Sequence, residues 1–233
     1  AIAISDSDIP IIAQIDLPEF LNPDMDKERL SENVNSKYRE MKPLLSPDGK
    51  TLYFSRRNHP DNVGGVKDNE DIWYSELDEN GEWKLAQNIG ETLNNAGPNF
   101  VSSVTPDGKS VLMVLGNQYL KNGKMAAGVS LSSNASGSWS KPVALKIEND
   151  YNYSEKANFF LANNRKVLLM SIMREDSNGG RDIYASFLEE DSTWTEPLNL
   201  SDKINTAGEE ASPFLAADDK TLYFSSDGYS GFG

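Results

Sequence analysis

Apolar and polar residues alternate along most of this chain in short runs, and Gly, Pro, Asn and Asp separate the runs. Alternation with period two marks half-buried strands, and the residues between them mark turns. Thr51-Leu52-Tyr53-Phe54-Ser55 shows the pattern well. It follows Ser46-Pro47-Asp48-Gly49-Lys50, where Asp can cap its own turn and Gly can take a positive φ, which suits a hairpin. Helical periodicity is nearly absent. The exception is Pro23 to Glu32, where Asp24, Asp26 and Glu28 precede Arg29 and Leu30, and acidic residues at the positive end predict one short helix.

The unit repeats. Ser46 to Ser55 returns as Thr105-Pro106-Asp107-Gly108-Lys109-Ser110-Val111-Leu112-Met113-Val114, as Ala162 to Ser171 with a worn turn, and as Ala216 to Ser225. The equivalent lysines, Lys50, Lys109, Lys166 and Lys220, stand 59, 57 and 54 residues apart. That period is too long for a solenoid coil and fits a four-stranded propeller blade with generous loops. Trp83, Trp139 and Trp194 keep the same beat, each after a polar turn. Between the two landmarks lies Asp71-Ile72-Trp73-Tyr74-Ser75, matched by Asp182-Ile183-Tyr184-Ala185-Ser186, whereas the second unit has Ala127-Gly128-Val129-Ser130-Leu131. Short leading strands are predicted at Lys42–Leu45, Asn99–Val104, Ala157–Leu161 and Ala211–Leu215, and Asn-rich crossovers at Leu93–Gly97 and Ile204–Gly208. The expected fold class is all-β, a propeller of four-stranded antiparallel blades with about three and a half blades in this chain. Residues 1–37 form an N-terminal segment with the short helix and a crossover, and blades follow at 38–97, 98–155, 156–208 and, in part, 209–233.

Composition narrows the chemistry. The 233 residues carry 36 acidic and 22 basic side chains, a net charge of −14, which disfavours a nucleic-acid or anionic-membrane partner. There is no cysteine, so disulfides, thiol nucleophiles and Cys metal sites are excluded, and with one histidine, His59, no multi-histidine site can form. No apolar run approaches the length of a membrane helix.

Individual residues are weighed against structural roles. Asp48-Gly49 and Asp107-Gly108 read as hairpin turns. Asp71 and Asp182 open equivalent strands and read as repeated hydrogen-bond anchors; the sharper alternative puts them around the central channel holding a cation such as calcium. No cofactor is otherwise expected. Trp83, Trp139 and Trp194 read as blade-edge packing, with carbohydrate platforms as the alternative. His59 sits in a surface loop, Arg56 to Asp61, with no Ser elbow to partner it. Loops containing His59, Asp61, Asn117, Tyr119 and Lys121 vary most between units and are candidate partner contacts.

The coordinated elements Ser46–Ser55, Gly179–Tyr184, Trp194–Pro197 and Asn205–Glu209 resemble the PD-type, WD-repeat-like propellers that include TolB-like periplasmic proteins and propeller modules of OmpA-family envelope proteins in Bacteroidetes. The resemblance covers residues 38 to 233. It implies a non-enzymatic scaffold that binds envelope proteins in the periplasm near the outer membrane, in secretion or gliding machinery, and reaches peptidoglycan through a domain outside this chain. The sequence phase also suggests a piece of a longer propeller. The alternatives are the propeller part of a hydrolase or serine peptidase, or a glycan-binding propeller.

Overall fold

The computed structural model describes residues 28–107, 110–120, 124–135 and 137–230. Strands β1 (Arg39–Leu45), β2 (Thr51–Arg57), β3 (Asp71–Glu76) and β4 (Gln87–Asn88) form one antiparallel sheet in that order. The second sheet holds β5 (Val101–Asp107), β6 (Ser110–Tyr119), β7 (Met125–Ala135) and β8 (Ser138–Trp139), with β9 (Val143–Ala144) also paired to β7. The third repeats the first with β10 (Asn158–Leu161), β11 (Val167–Ile172), β12 (Asp182–Phe187) and β13 (Leu198–Asn199). The last comprises β14 (Glu210–Leu215) and β15 (Leu222–Ser226). The described chain is thus nearly all-β, with two four-stranded antiparallel sheets, a third that adds β9 to its four, and a final pair of strands, consistent with propeller blades.

The hairpin turns use the expected chemistry, with substitutions where the repeat is worn. Gly49 takes φ +70° while Asp48 Oδ1 accepts bonds from Ser46 Oγ at 2.5 Å and Lys50 N at 3.1 Å. In the third and fourth units Arg165 (φ +58°) and Asp219 (φ +54°) take the left-handed position, and Asn164 and Asp218 cap the turn.

Successive sheets stack on one another through their alternating apolar faces. Tyr53, Ile72 and Leu93 of the first unit pack with Val101, Met113 and Leu115 of the second. Val114 and Val129 of the second pack with Phe159, Leu168, Met170 and Tyr184 of the third. Leu169 and Ala185 then meet Leu215 and Leu222 of the last sheet. Serine hydroxyls fasten the stack: Ser55 Oγ donates to Asn99 O at 3.4 Å, and Ser171 Oγ to Glu210 O at 2.6 Å. Both serines close the repeated apolar strand and are fully buried.

The crossovers are held by buried asparagines. Asn94 accepts from Ile72 N and donates to Ile72 O, both at 2.9 Å, and Asn205 does the same to Ile183 at 2.8 and 3.0 Å. Each also donates to Asn88 or Asn199 at 2.8 Å.

One expectation is corrected. Residues 23–27 lie outside the described residues, but 28–32 are not helical. Val34 N and Asn35 N both donate to Ser31 O, and the same turn closes at Gly90 and at Ser201. From Ser31 on, the segment is a third copy of the crossover turn, which takes the place of the expected helix's end.

Candidate functional site

Strands β1, β5, β10 and β14 lie side by side, each leading its sheet. Together they wall a cavity of about 800 Å³. Four equivalent positions, each four residues before its hairpin turn, contribute Lys42, Val101, Asn158 and Ser212. Lys42 and Ser212 both take φ +53°, and the register of β1 and β14 shifts there, so each strand bulges and re-aims its side chains. Bulges at both places precede a proline, Pro43 and Pro213, which has no N–H to give a ladder.

The walls are apolar: Leu44, Leu45, Phe100, Val104, Phe160 and Phe214. Phe160 and Phe214 stack obliquely at 4.9 Å, and Phe214 remains half exposed. Polar groups collect around the bulges. Lys42 Nζ lies 3.3 Å from the Phe100 ring centroid and 3.3 Å from Glu70 Oε1. Burial pushes the Lys42 ammonium below its usual range, and Glu70 partly offsets that. Asn158 Oδ1 accepts from Arg181 Nη1 and from Ser212 N, both at 3.2 Å, while Arg181 Nε donates to Glu209 Oε2 at 2.8 Å. Lys42 is the one ionisable side chain among the described residues lining the cavity. Such a site can seat an apolar group and orient a polar end, but its walls carry no nucleophile paired with a base.

Asp71 and Asp182 stand away from this cavity. Asp71 Oδ2 accepts from Val63 N and Asn88 Nδ2, both at 2.8 Å, and Asp182 Oδ2 from Asn178 N at 2.8 Å and Asn199 Nδ2 at 2.9 Å. Both anchor the preceding loop to their own sheet. Burial raises both carboxyls, Asp71 to about 6. No group of three or more potential metal ligands occurs among the described residues.

His59 is not free on the surface. Its ring lies between Tyr38 at 4.6 Å and Trp73 at 4.5 Å, and its Nδ1 accepts from Asp61 N at 3.0 Å. Burial first, and then Arg56, lower its basicity. Asp61 is exposed. Asn117 donates to Pro98 O at 2.8 Å, and Tyr119 OH donates to Leu93 O at 2.6 Å, so these two tie a hairpin to the crossover behind it. Lys121 lies outside the described residues, as do Gly108 and the side chain of Asp107.

The tryptophans sit between elements. Trp139 meets Tyr53 edge-on at 6.1 Å, Trp83 packs on the cluster of Val34, Leu52, Phe54 and Trp73, and Trp194 is buried, bridging Leu188 and Ile147. The cavity residues Lys42, Phe100, Asn158 and Phe214 were not singled out from sequence. Their common offset from the repeated turn is the signal that locates them.

No protein-family model matches the chain, and no curated protein matches it. Among solved structures, a family 117 glycoside hydrolase of the marine bacterium Zobellia galactanivorans is similar at 12% identity and TM-score 0.33, covering 79% of this chain and 74% of that one. A puromycin hydrolase is similar at 10% identity and TM-score 0.33, covering 80% of this chain and 33% of that one, so this chain spans about a third of its length. Both neighbours are hydrolases by name, and the expectation of a non-enzymatic module is not carried further.

Proposed function

We propose that these blades are the substrate-admitting propeller portion of a hydrolase, with an apolar substrate group seated in the cavity walled by β1, β5, β10 and β14. The observation that carries this reading is the cavity itself: about 800 Å³, aromatic-walled, and lined by one ionisable residue among those described. Its size suits a small-molecule or side-chain guest, and its chemistry suits recognition, with the reacting groups supplied from outside these walls. His59 does not supply them, since its ring is stacked and its Nδ1 is occupied. The periplasmic, outer-membrane-associated setting belongs to the same proposal and is supported by the repeat motifs alone.

Steady-state hydrolysis of apolar aryl esters, aminoacyl arylamides and aryl glycosides by the natural full-length protein tests the reading. Phe214→Asp places a charge on the wall, and removing part of one aromatic contact is expected to raise KM about tenfold with kcat kept. Absence of turnover on all three substrate classes, or an unchanged KM in Phe214→Asp, overturns it.

A further inference from the structure

The chain carries 36 acidic side chains against 22 basic ones, yet no acidic side chain lines the cavity among the described residues. The charged group on its wall is the Lys42 ammonium. Glu70 takes one of the three ammonium donors, Phe100 offers a ring face at 3.3 Å, and the Lys42 side chain stays 43% exposed. Its other donors have no acceptor among the described residues. Glu70 is largely buried and does not line the cavity, so a guest meets the ammonium rather than its partner.

The neutral polar groups on the wall add donors of the same kind. Asn158 accepts from Arg181 Nη1 and Ser212 N with its oxygen, and those two donors fix which end of the amide is nitrogen. Its Nδ2 protons are left without an acceptor among the described residues, as is the Ser212 hydroxyl at the equivalent position of the next sheet. The acceptor-rich end of a guest is therefore matched. A cationic end is not, because it would face Lys42 with no carboxylate on the wall to pair it. Leu44, Leu45, Phe160 and Phe214 leave room for an apolar body beside these groups.

On the reading that this cavity seats the substrate, we infer that the substrate is an apolar carboxylate, with its anionic oxygens on Lys42 Nζ and its aryl or alkyl body against Phe160 and Phe214. The carboxylate is a handle, separate from the bond that is cleaved. An N⁺–H···O⁻ bond is roughly twice as strong as a neutral one, and apolar walls strengthen it further. Burial lowers the basicity of Lys42, and a bound carboxylate raises it again, as Glu70 already does in part.

Calorimetric titration of the natural full-length protein with phenylbutyrate, phenylbutyramide and phenylbutylamine tests this without turnover. At low salt and neutral pH the acid is expected to bind about tenfold more tightly than the amide, and the amine more weakly than either. Lys42→Met keeps most of the stem and removes the charge. It should bring the acid down to the affinity of the amide, while the amide binds as it does to the wild type, which also shows that the variant is folded. The order of the three ligands on the wild type is decisive whether or not the variant folds. Equal binding of acid and amide by the wild type overturns the inference and leaves the apolar site standing. A preference for the acid that survives in Lys42→Met overturns it too, since the anion then sits elsewhere. A Lys42-dependent preference in a protein that turns over no substrate supports the carboxylate site and removes the hydrolase reading alone.

Discussion

Replacing Asn205 by leucine is expected to lower the unfolding free energy by roughly 3–5 kcal/mol, although the two side chains are close in volume. Asn205 is buried and holds both the N–H and the C=O of Ile183, and its amide also reaches Asn199. Leucine strands both backbone groups without water, at about 1–3 kcal/mol each. Asn199 Oδ1 also loses a donor, although it still accepts from Ser201 N. Asn94→Leu should cost a similar amount, since Asn94 makes the same bonds to Ile72 and Asn88. Asn35→Leu is the internal control. It occupies the same place in the crossover, but among the described residues its amide donates to the nearby Leu30 O alone and it is partly exposed, so the expected loss is below about 1 kcal/mol. Urea midpoints at constant m-value measure all three. Equal losses at positions 35 and 205 would refute the bridging role.

These asparagines show how much the sequence disclosed. The crossover motif was legible because Asn94 and Asn205 return in phase, and so were the sheets, since the strand pattern and turn residues agree at each repeat. What each asparagine grips was not legible, because its target is the backbone of a strand 22 residues away and leaves no trace in residue type. Ser55 and Ser171 were read as strand ends, yet they clip one sheet to the next. The cavity was hidden for a related reason. Lys42, Val101, Asn158 and Ser212 differ in chemistry, so the repeat is visible only as position, and the bulge that aims them is a matter of φ. Of the helix expected over Pro23 to Glu32, the described residues 28–32 instead lead into a turn used twice elsewhere in the chain.

The same comparison between units predicts a pH effect at Asp71. Asp68 and Asp71 are both buried, and each leaves one buried carboxyl oxygen without a hydrogen-bond partner among the described residues. A single proton held between them would give both oxygens a partner. Desolvation chiefly, with the Asp68 carboxyl beside it, raises Asp71 to about 6 from an ordinary 3.8, despite the bonds from Asn88 and Val63 that favour its charged form. A carboxyl whose folded value is raised binds its proton more tightly when folded. Its contribution is therefore complete below about pH 4 and is lost as pH rises through 6. Across that window the wild type should lose roughly 3 kcal/mol relative to Asp71→Asn, whose amide oxygen can still accept from Val63 N. Asp182 provides the contrast. Gly179 stands where Asp68 would be, and a Cβ there would lie 2.3 Å from Ala207 O, so the carboxylates that, after burial, raise Asp182, Glu210 and Asp176, act on it by charge and from other positions. Asp182→Asn should accordingly change the pH profile less than Asp71→Asn does. Denaturant titrations from pH 4 to 7 on the three proteins decide it, and parallel profiles for wild type and Asp71→Asn would rule out the shared proton.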